Sequence, residues 1–416
     1  MPKPSSGRAL LRRLGWKATI LPMLSKNVAA SVAALLFVVG CVTAPYTGRG
    51  QLMLVSESNE IESGEEAYRH IMRDSVLADN SDAVRIVRKV GENIAQAANK
   101  PEYRWDFRVI NDPQDINAFC VPGGKVAVYI GIFPIARDEA GLAVILGHEV
   151  AHALLRHSGE RMTQTQILGT GLALAGAGGV NPQILQALGL GASVGVVLPF
   201  SRSQESEADH VGLILMAKAG YDPRVSLDVW NRMARKEKGA TADFLSTHPG
   251  SETRIQQLKA WMPEALQYYQ PGDRVVELLP SPQALDSPTA RSERELLKRI
   301  QAINQFVEQQ NGERAVAEAL AYELRLNLPT IVNERQQLKV GYGQYAALRG
   351  LAYLGRGSVR NIVAEYQRGG SWSMIAQNNA SGLNELTAWM ANLTRTTSAV
   401  GRQLRTQPYR SSPRMP

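Results

Sequence analysis

Cysteine is nearly absent from this chain: two residues in 416, Cys41 and Cys120. A disulfide-stapled scaffold is therefore excluded. Histidine is almost as scarce, with 6 in the whole sequence. No apolar run reaches the roughly twenty residues needed to cross a bilayer. Acidic side chains are missing from residues 1–40, which carry Lys3, Arg8, Arg12, Arg13, Lys17 and Lys26. The rest of the chain holds 40 basic against 38 acidic residues, so the folded body is close to neutral. Nothing in this balance asks for nucleic acid, which would need a basic face on the folded domain. No 34-residue repeat emerges in the helical C-terminal part, so the chain gives no sign of a tetratricopeptide array. What is present is an ordinary globular mix, 44% hydrophobic and 20% charged, long enough for one large core or two domains.

The N-terminus reads as a targeting segment. Its basic stretch precedes "VAASVAALLFVVG", Val28 to Gly40, the length of a signal-peptide core. The run ends "VVGC", which resembles the bacterial lipobox. The resemblance implies cleavage before Cys41 and lipidation of that cysteine, with Met23 as an alternative start. Val42 in place of Asp implies outer-membrane retention. The expected location is thus the periplasmic face of the outer membrane of a Gram-negative bacterium, with contact to the membrane through the lipid. With Cys41 lipidated, Cys120 stands alone in an apolar run and reads as a small buried hydrophobe.

The expected fold class is α+β: a mostly helical domain with a small antiparallel sheet, followed by an all-helical region. Residues 1–40 are the signal peptide and 41–58 a Pro, Gly, Thr and Ser-rich tether. Residues 59–265 form the main domain, 266–291 a linker, 292–400 a helical accessory domain and 401–416 a disordered tail. Helical patterns are expected near 59–76 and 82–99. "RWDFRVIND" alternates as a strand does, and "INAFCVPGGKVAVYIGIF" reads as two strands joined at Pro122-Gly123-Gly124. Gln166 to Phe200 is apolar and rich in small residues. It reads as paired helices packed on the core, with a mobile lid, or a surface that touches lipid or unfolded substrate, as the alternative.

One helix carries the chemistry. "GLAVILGHEVAHALLRHSGER", Gly141 to Arg161, places His148, Glu149 and His152 inside an apolar pattern. Polar groups buried there are costly unless something satisfies them. His148 and His152 lie four apart, on one helical face, with Glu149 beside it. His-Glu-x-x-His on a helix is the pattern of a zinc hydrolase: two imidazoles hold the metal and the carboxylate acts as base. A third ligand is needed. Leu155 and Ser158 rule out a third histidine on the same helix, and His157 reads as a helix-end residue pointing elsewhere. "SRSQESEADHVGL" offers Glu205 and Asp209, four apart on one face, with Glu207 pointing away. One of the pair could bind metal and the other orient an imidazole.

HEVAH, then E-x-E-A-D some fifty residues later, then S-T-H-P, resembles metallopeptidase family forty-eight over about residues 58–262. The resemblance implies one Zn2+ per chain held by His148, His152 and Glu205, with Glu149 as base and Asp209 as supporting acid. It implies that His248 faces the metal, as a fourth ligand at rest or as a donor in the transition state, with Arg254 nearby. Asn117, Gly123 and Gly124 fit the family's strand pair beside the cleft. Substrate is expected to pair with an edge strand at Lys125–Ile130, so that Asn117, Gly124, Lys125 and Val126 contact it. The activity implied is zinc endopeptidase action on unfolded or misassembled envelope proteins, with the C-terminal helices meeting a partner such as outer-membrane assembly machinery. Two other readings stand beside it: a lipid-tethered chaperone or scaffold with a silent zinc site, and a zinc hydrolase acting on peptidoglycan or lipid.

Overall fold

The computed structural model describes residues 41–79, 81–174, 200–237, 244, 247–248, 253–271 and 276–406. The signal-peptide reading, the stretch 175–199 and the end of the tail lie outside the described residues. The class is α+β, mostly helical with small sheets, as expected from the sequence.

Two short strands open the described chain. Strand β1 (Cys41–Thr43) pairs antiparallel with β2 (Gly50–Leu52) in a hairpin that occupies the expected tether. Helices α1 (Glu57–Arg73) and α2 (Ser81–Ala98) follow, the first capped by Ser56, whose side chain accepts from the Asn59 amide. Then come β3 (Asp106–Ile110), β4 (Ala118–Val121) and β5 (Lys125–Tyr129). The Gly123-Gly124 turn between β4 and β5 requires glycine. Both residues have positive φ, and a Cβ on Gly124 would stand 2.9 Å from the Trp105 ring.

The three strands are ordered β3-β5-β4, with β3 parallel and β4 antiparallel to β5. The expected edge strand is therefore the central one. Val126, Ala127 and Val128 are also fully buried, so this strand is covered on both faces as well as paired at both edges. Among the described residues, β4 is the edge strand beside the cleft.

Helix α3 (Glu139–Leu154) carries His148, Glu149 and His152, and every residue in it is buried. Asp138 caps it by accepting from the Gly141 amide at 2.9 Å. Arg156 has φ +58, which ends the helix and starts α4 (His157–Leu174) in a new direction. Helix α5 (Arg202–Lys218) begins with a Ser201/Gln204 capping box and lies against α3. The two helices meet at glycine. A Cβ on Gly212 would fall 2.8 Å from the His148 backbone nitrogen, and one on Gly147 2.7 Å from the Gly212 carbonyl oxygen. Gly212→Ala is therefore expected to push backbone against backbone and cost about 1–3 kcal/mol, read as a lower thermal midpoint. Helices α6 (Val225–Glu237) and α7 (Arg254–Leu266) complete this layer.

A second hydrophobic core belongs to seven helices: α8 (Pro288–Val307), α9 (Gly312–Leu324), α10 (Leu328–Leu338), α11 (Tyr342–Gly355), α12 (Val359–Gln367), α13 (Trp372–Asn378) and α14 (Leu383–Thr406). It is joined to the first core on the β3 side of the sheet. Arg294 donates to the Asn111 carbonyl at 2.7 Å, and the Asn111 amide donates to the Leu285 carbonyl at 2.8 Å. Among the described residues, no helix is long and apolar enough to cross a membrane.

Candidate metal centre

Four side chains from three places in the chain converge. His148 and His152 come from successive turns of α3, Glu205 from the first turn of α5, and His248 from the segment before α7. Their ligand atoms all lie within 4.8 Å of one another, and all four residues are buried. His148 Nε2 is 3.1 Å from His152 Nε2 and 3.3 Å from His248 Nδ1. Glu205 Oε1 is 3.3 Å from His152 Nε2 and 3.0 Å from His248 Nδ1.

These spacings suit a cation. A tetrahedral zinc with ligand bonds of roughly 2.0–2.1 Å has edges of about 3.4 Å between neighbouring ligand atoms. Proton positions make the same point. Asp209 Oδ1 is 3.0 Å from His148 Nδ1, and an ionised carboxylate can only accept, so the His148 proton sits on Nδ1. Its Nε2 therefore turns a lone pair toward the centre. Burial, against the hydrogen bond and charge of Glu205, holds the His152 imidazole well below its ordinary range and so neutral. For His148, burial is outweighed by the Asp209 hydrogen bond and the nearby carboxylates, which raise its proton affinity. The site thus attracts positive charge, and the donor set fits a divalent metal.

Arg254 organises the acidic side. It donates from Nη2 to Glu205 Oε2 and from Nε to Asp209 Oδ2, both at 2.6 Å, with its guanidinium 4.0 Å over the Trp230 ring. Aromatic rings pack the imidazoles: Phe200 lies 3.9 Å from His152, and Phe244 stacks on His248 at 4.4 Å.

Glu149 stands beside the cluster. Its Oε1 is buried without a hydrogen-bond partner, 3.7 Å from His248 Nε2. Burial raises its pKa, against the pull of His248 and His148. It faces a cleft that β4 borders, lined in part by Ala67, Asn117, Phe119, Val121, Met162 and Phe200. Asn117 and the residues of β4 line this cleft; Lys125 and Val126 do not. Lys125 turns its ammonium to the Arg104 carbonyl, and Val126 is fully buried. Their assignment to substrate is corrected, because β5 has partners on both sides. Gly124 shapes the turn behind the cleft. Cys120 is a free, buried thiol whose pKa burial and the Glu149 charge push up, as its apolar reading anticipated.

Two residues set aside in the sequence belong to this site. His157 is completely buried, with Nδ1 2.9 Å from His152 Nδ1, and Glu207 Oε2 is 3.3 Å from His157 Nε2. The turn at Arg156 brings His157 back toward His152. A continuous helix would have carried it away.

Comparison with known proteins decides the family. The model of Peptidase family M48 matches residues 82–262. The mitochondrial metalloendopeptidase OMA1 of Saccharomyces cerevisiae is 33% identical over 253 residues, 55% of this chain and 71% of the relative. The chain belongs to peptidase family M48. The OMA1 of Schizosaccharomyces pombe is 37% identical, over 53% of this chain and 66% of the relative. The beta-barrel assembly-enhancing protease of Escherichia coli is 25% identical, over 56% of this chain and 51% of the relative. The chain therefore spans between about half and 71% of these relatives' lengths. The expectation of a metalloendopeptidase is borne out by the family and by the relatives' names. The outer-membrane location is corrected. Relatives named as mitochondrial match at higher identity than the bacterial one, so the lipobox-like end cannot carry a Gram-negative placement.

Proposed function

We propose that this M48 chain is a zinc endopeptidase that cuts unfolded or misassembled proteins, taken as extended segments along the β4 edge. The convergence of His148, His152, Glu205 and His248 beside an unpaired Glu149 oxygen is the observation that carries the reading. His148, His152 and Glu205 would hold the metal, oriented by Asp209 and Arg254. Bound zinc supplies Lewis-acid polarisation of the scissile carbonyl and a water of lowered pKa. Glu149 takes the proton from the attacking water and delivers it to the leaving amine. The β4 edge offers main-chain hydrogen bonds, which accept many sequences and align the segment across Glu149. Among the described residues, none of 288–406 lines the cleft.

The test is cleavage of casein together with metal analysis. One zinc per chain is expected. Stripping it with a chelator should abolish cleavage, and a protein whose cleavage survives complete zinc removal would refute the reading. The silent-site reading has one observation in its favour, the place of His248 within the ligand cluster. His248→Ala is expected to raise the initial rate several-fold by opening that position. A fall on the order of a hundred-fold would instead make His248 a donor to the substrate oxyanion.

A further inference from the structure

Ligand His148 is backed directly by the carboxylate of Asp209. Ligand His152 is backed by a second imidazole, and the chain of contacts behind it runs out to the N-terminal hairpin. His152 Nδ1 is 2.9 Å from His157 Nδ1. For His152 to present a lone pair at Nε2 its proton must be on Nδ1, donated to His157 Nδ1. That fixes the His157 proton on Nε2, where Glu207 Oε2 accepts at 3.3 Å. Glu207 is held in turn by the loop of the hairpin: Arg49 Nε donates to Oε2 at 2.6 Å, and Thr47 Oγ1 donates to Oε1. Arg49 also forks onto Glu160 at 2.9 and 2.7 Å, and Gln204 donates to the same carboxylate at 2.8 Å.

The same hairpin grips the end of α3. Gln51 donates to the Leu155 carbonyl at 2.8 Å, and Arg156 donates to the Val55 carbonyl at 3.1 Å and pairs with Glu60. The segment Thr47–Glu60 thus holds both the turn that aims His157 and the carboxylate that sets its tautomer. Glu207 takes hydrogen bonds from His157, Thr47 and Arg49, so its carboxylate is the acceptor on which the chain of contacts ends.

We propose that His157, Glu207 and Arg49 are positioning residues that lock His152 as an Nε2 ligand, making the N-terminal hairpin part of the metal centre. The proposal rests on the zinc reading above. An imidazole in second place can accept at one nitrogen and donate at the other, which an apolar side chain of the same volume cannot do. Partners of this kind commonly change metal affinity by about 10–100-fold.

The experiment measures the zinc dissociation constant of the full chain by competition with a chromophoric chelator. Thermal melting of the metal-free proteins runs in parallel. His157→Ala is expected to weaken zinc by about 10–100-fold while the metal-free midpoint stays within a few degrees of wild type. His157→Gln, which can accept from His152 and donate to Glu207, is expected to recover most of the loss. Should His157→Ala fail to fold, Glu207→Ala tests the next link, with a smaller loss expected and recovery in Glu207→Gln. A wild-type constant in the alanine variants overturns the proposal. So does a loss that the glutamine variants fail to recover. If wild type itself binds no zinc, both the proposal and the zinc reading fall, which separates the two failures.

Discussion

Glu149→Gln leaves the protein folded and metal-loaded but lowers the cleavage rate by about 10²–10⁴-fold, the range for loss of a positioned acid–base group. The substitution keeps the shape of the side chain and its place in α3. It replaces the carboxylate beside the metal site with an amide, which cannot take a proton from water at neutral pH. Glu149 is suited to the role by its surroundings: buried, with an unpartnered Oε1, and with burial raising its pKa toward the operating range. Two measurements check the result. Zinc content should equal that of wild type, and the rate on an unfolded substrate should fall without a matching rise in KM. A variant that cuts casein at the wild-type rate would remove Glu149 from the mechanism. Because binding along β4 is left intact, the same variant is expected to retain uncut substrates, which can be isolated and identified.

The parts of the site that were legible in the sequence are those fixed by local spacing. His148 and His152 are one turn apart on any helix, and Glu205 and Asp209 are one turn apart on another. Nothing local, however, shows which face of α5 meets α3. That is settled by Gly147 and Gly212, whose missing side chains let the two backbones touch. "KVAVY" is apolar without alternation, the mark of a strand covered on both faces, but face burial does not tell a central strand from an edge; pairing fixes that. The parallel pairing of β3 with β5 is non-local and leaves no such mark. His157 departs from the direction helical spacing predicts, because a left-handed residue at Arg156 breaks the helix. The N-terminal hairpin was hidden by composition: its Pro, Gly and Thr residues read as a tether, while its function lies in Thr47, Arg49 and Gln51, which reach α3, α4 and α5.

The second large effect is expected at Arg254. Its guanidinium is buried, and its two 2.6 Å hydrogen bonds go to two buried carboxylates, Glu205 and Asp209. Arg254→Met keeps most of the packing against Trp230 but leaves both carboxylates without their shared cation. Removing one partner of a buried ion pair costs about 3–5 kcal/mol, because the remaining charge stays desolvated. The metal-free variant should therefore melt far below wild type. Added zinc should raise both midpoints but widen that gap, since a bound ligand stabilises the folded state by mass action and the variant binds it more weakly. Arg254→Lys should rescue little, as a single ammonium cannot fork to two carboxylates held on successive turns of α5. Zinc affinity should fall as well, because Glu205 loses the contact that aims it and Asp209 the one that holds it against His148 Nδ1. Calorimetric melting with and without zinc checks both parts. A metal-free Arg254→Met protein as stable as wild type would show that Glu205 and Asp209 find other partners, and would dissociate the acidic side of the centre from this guanidinium.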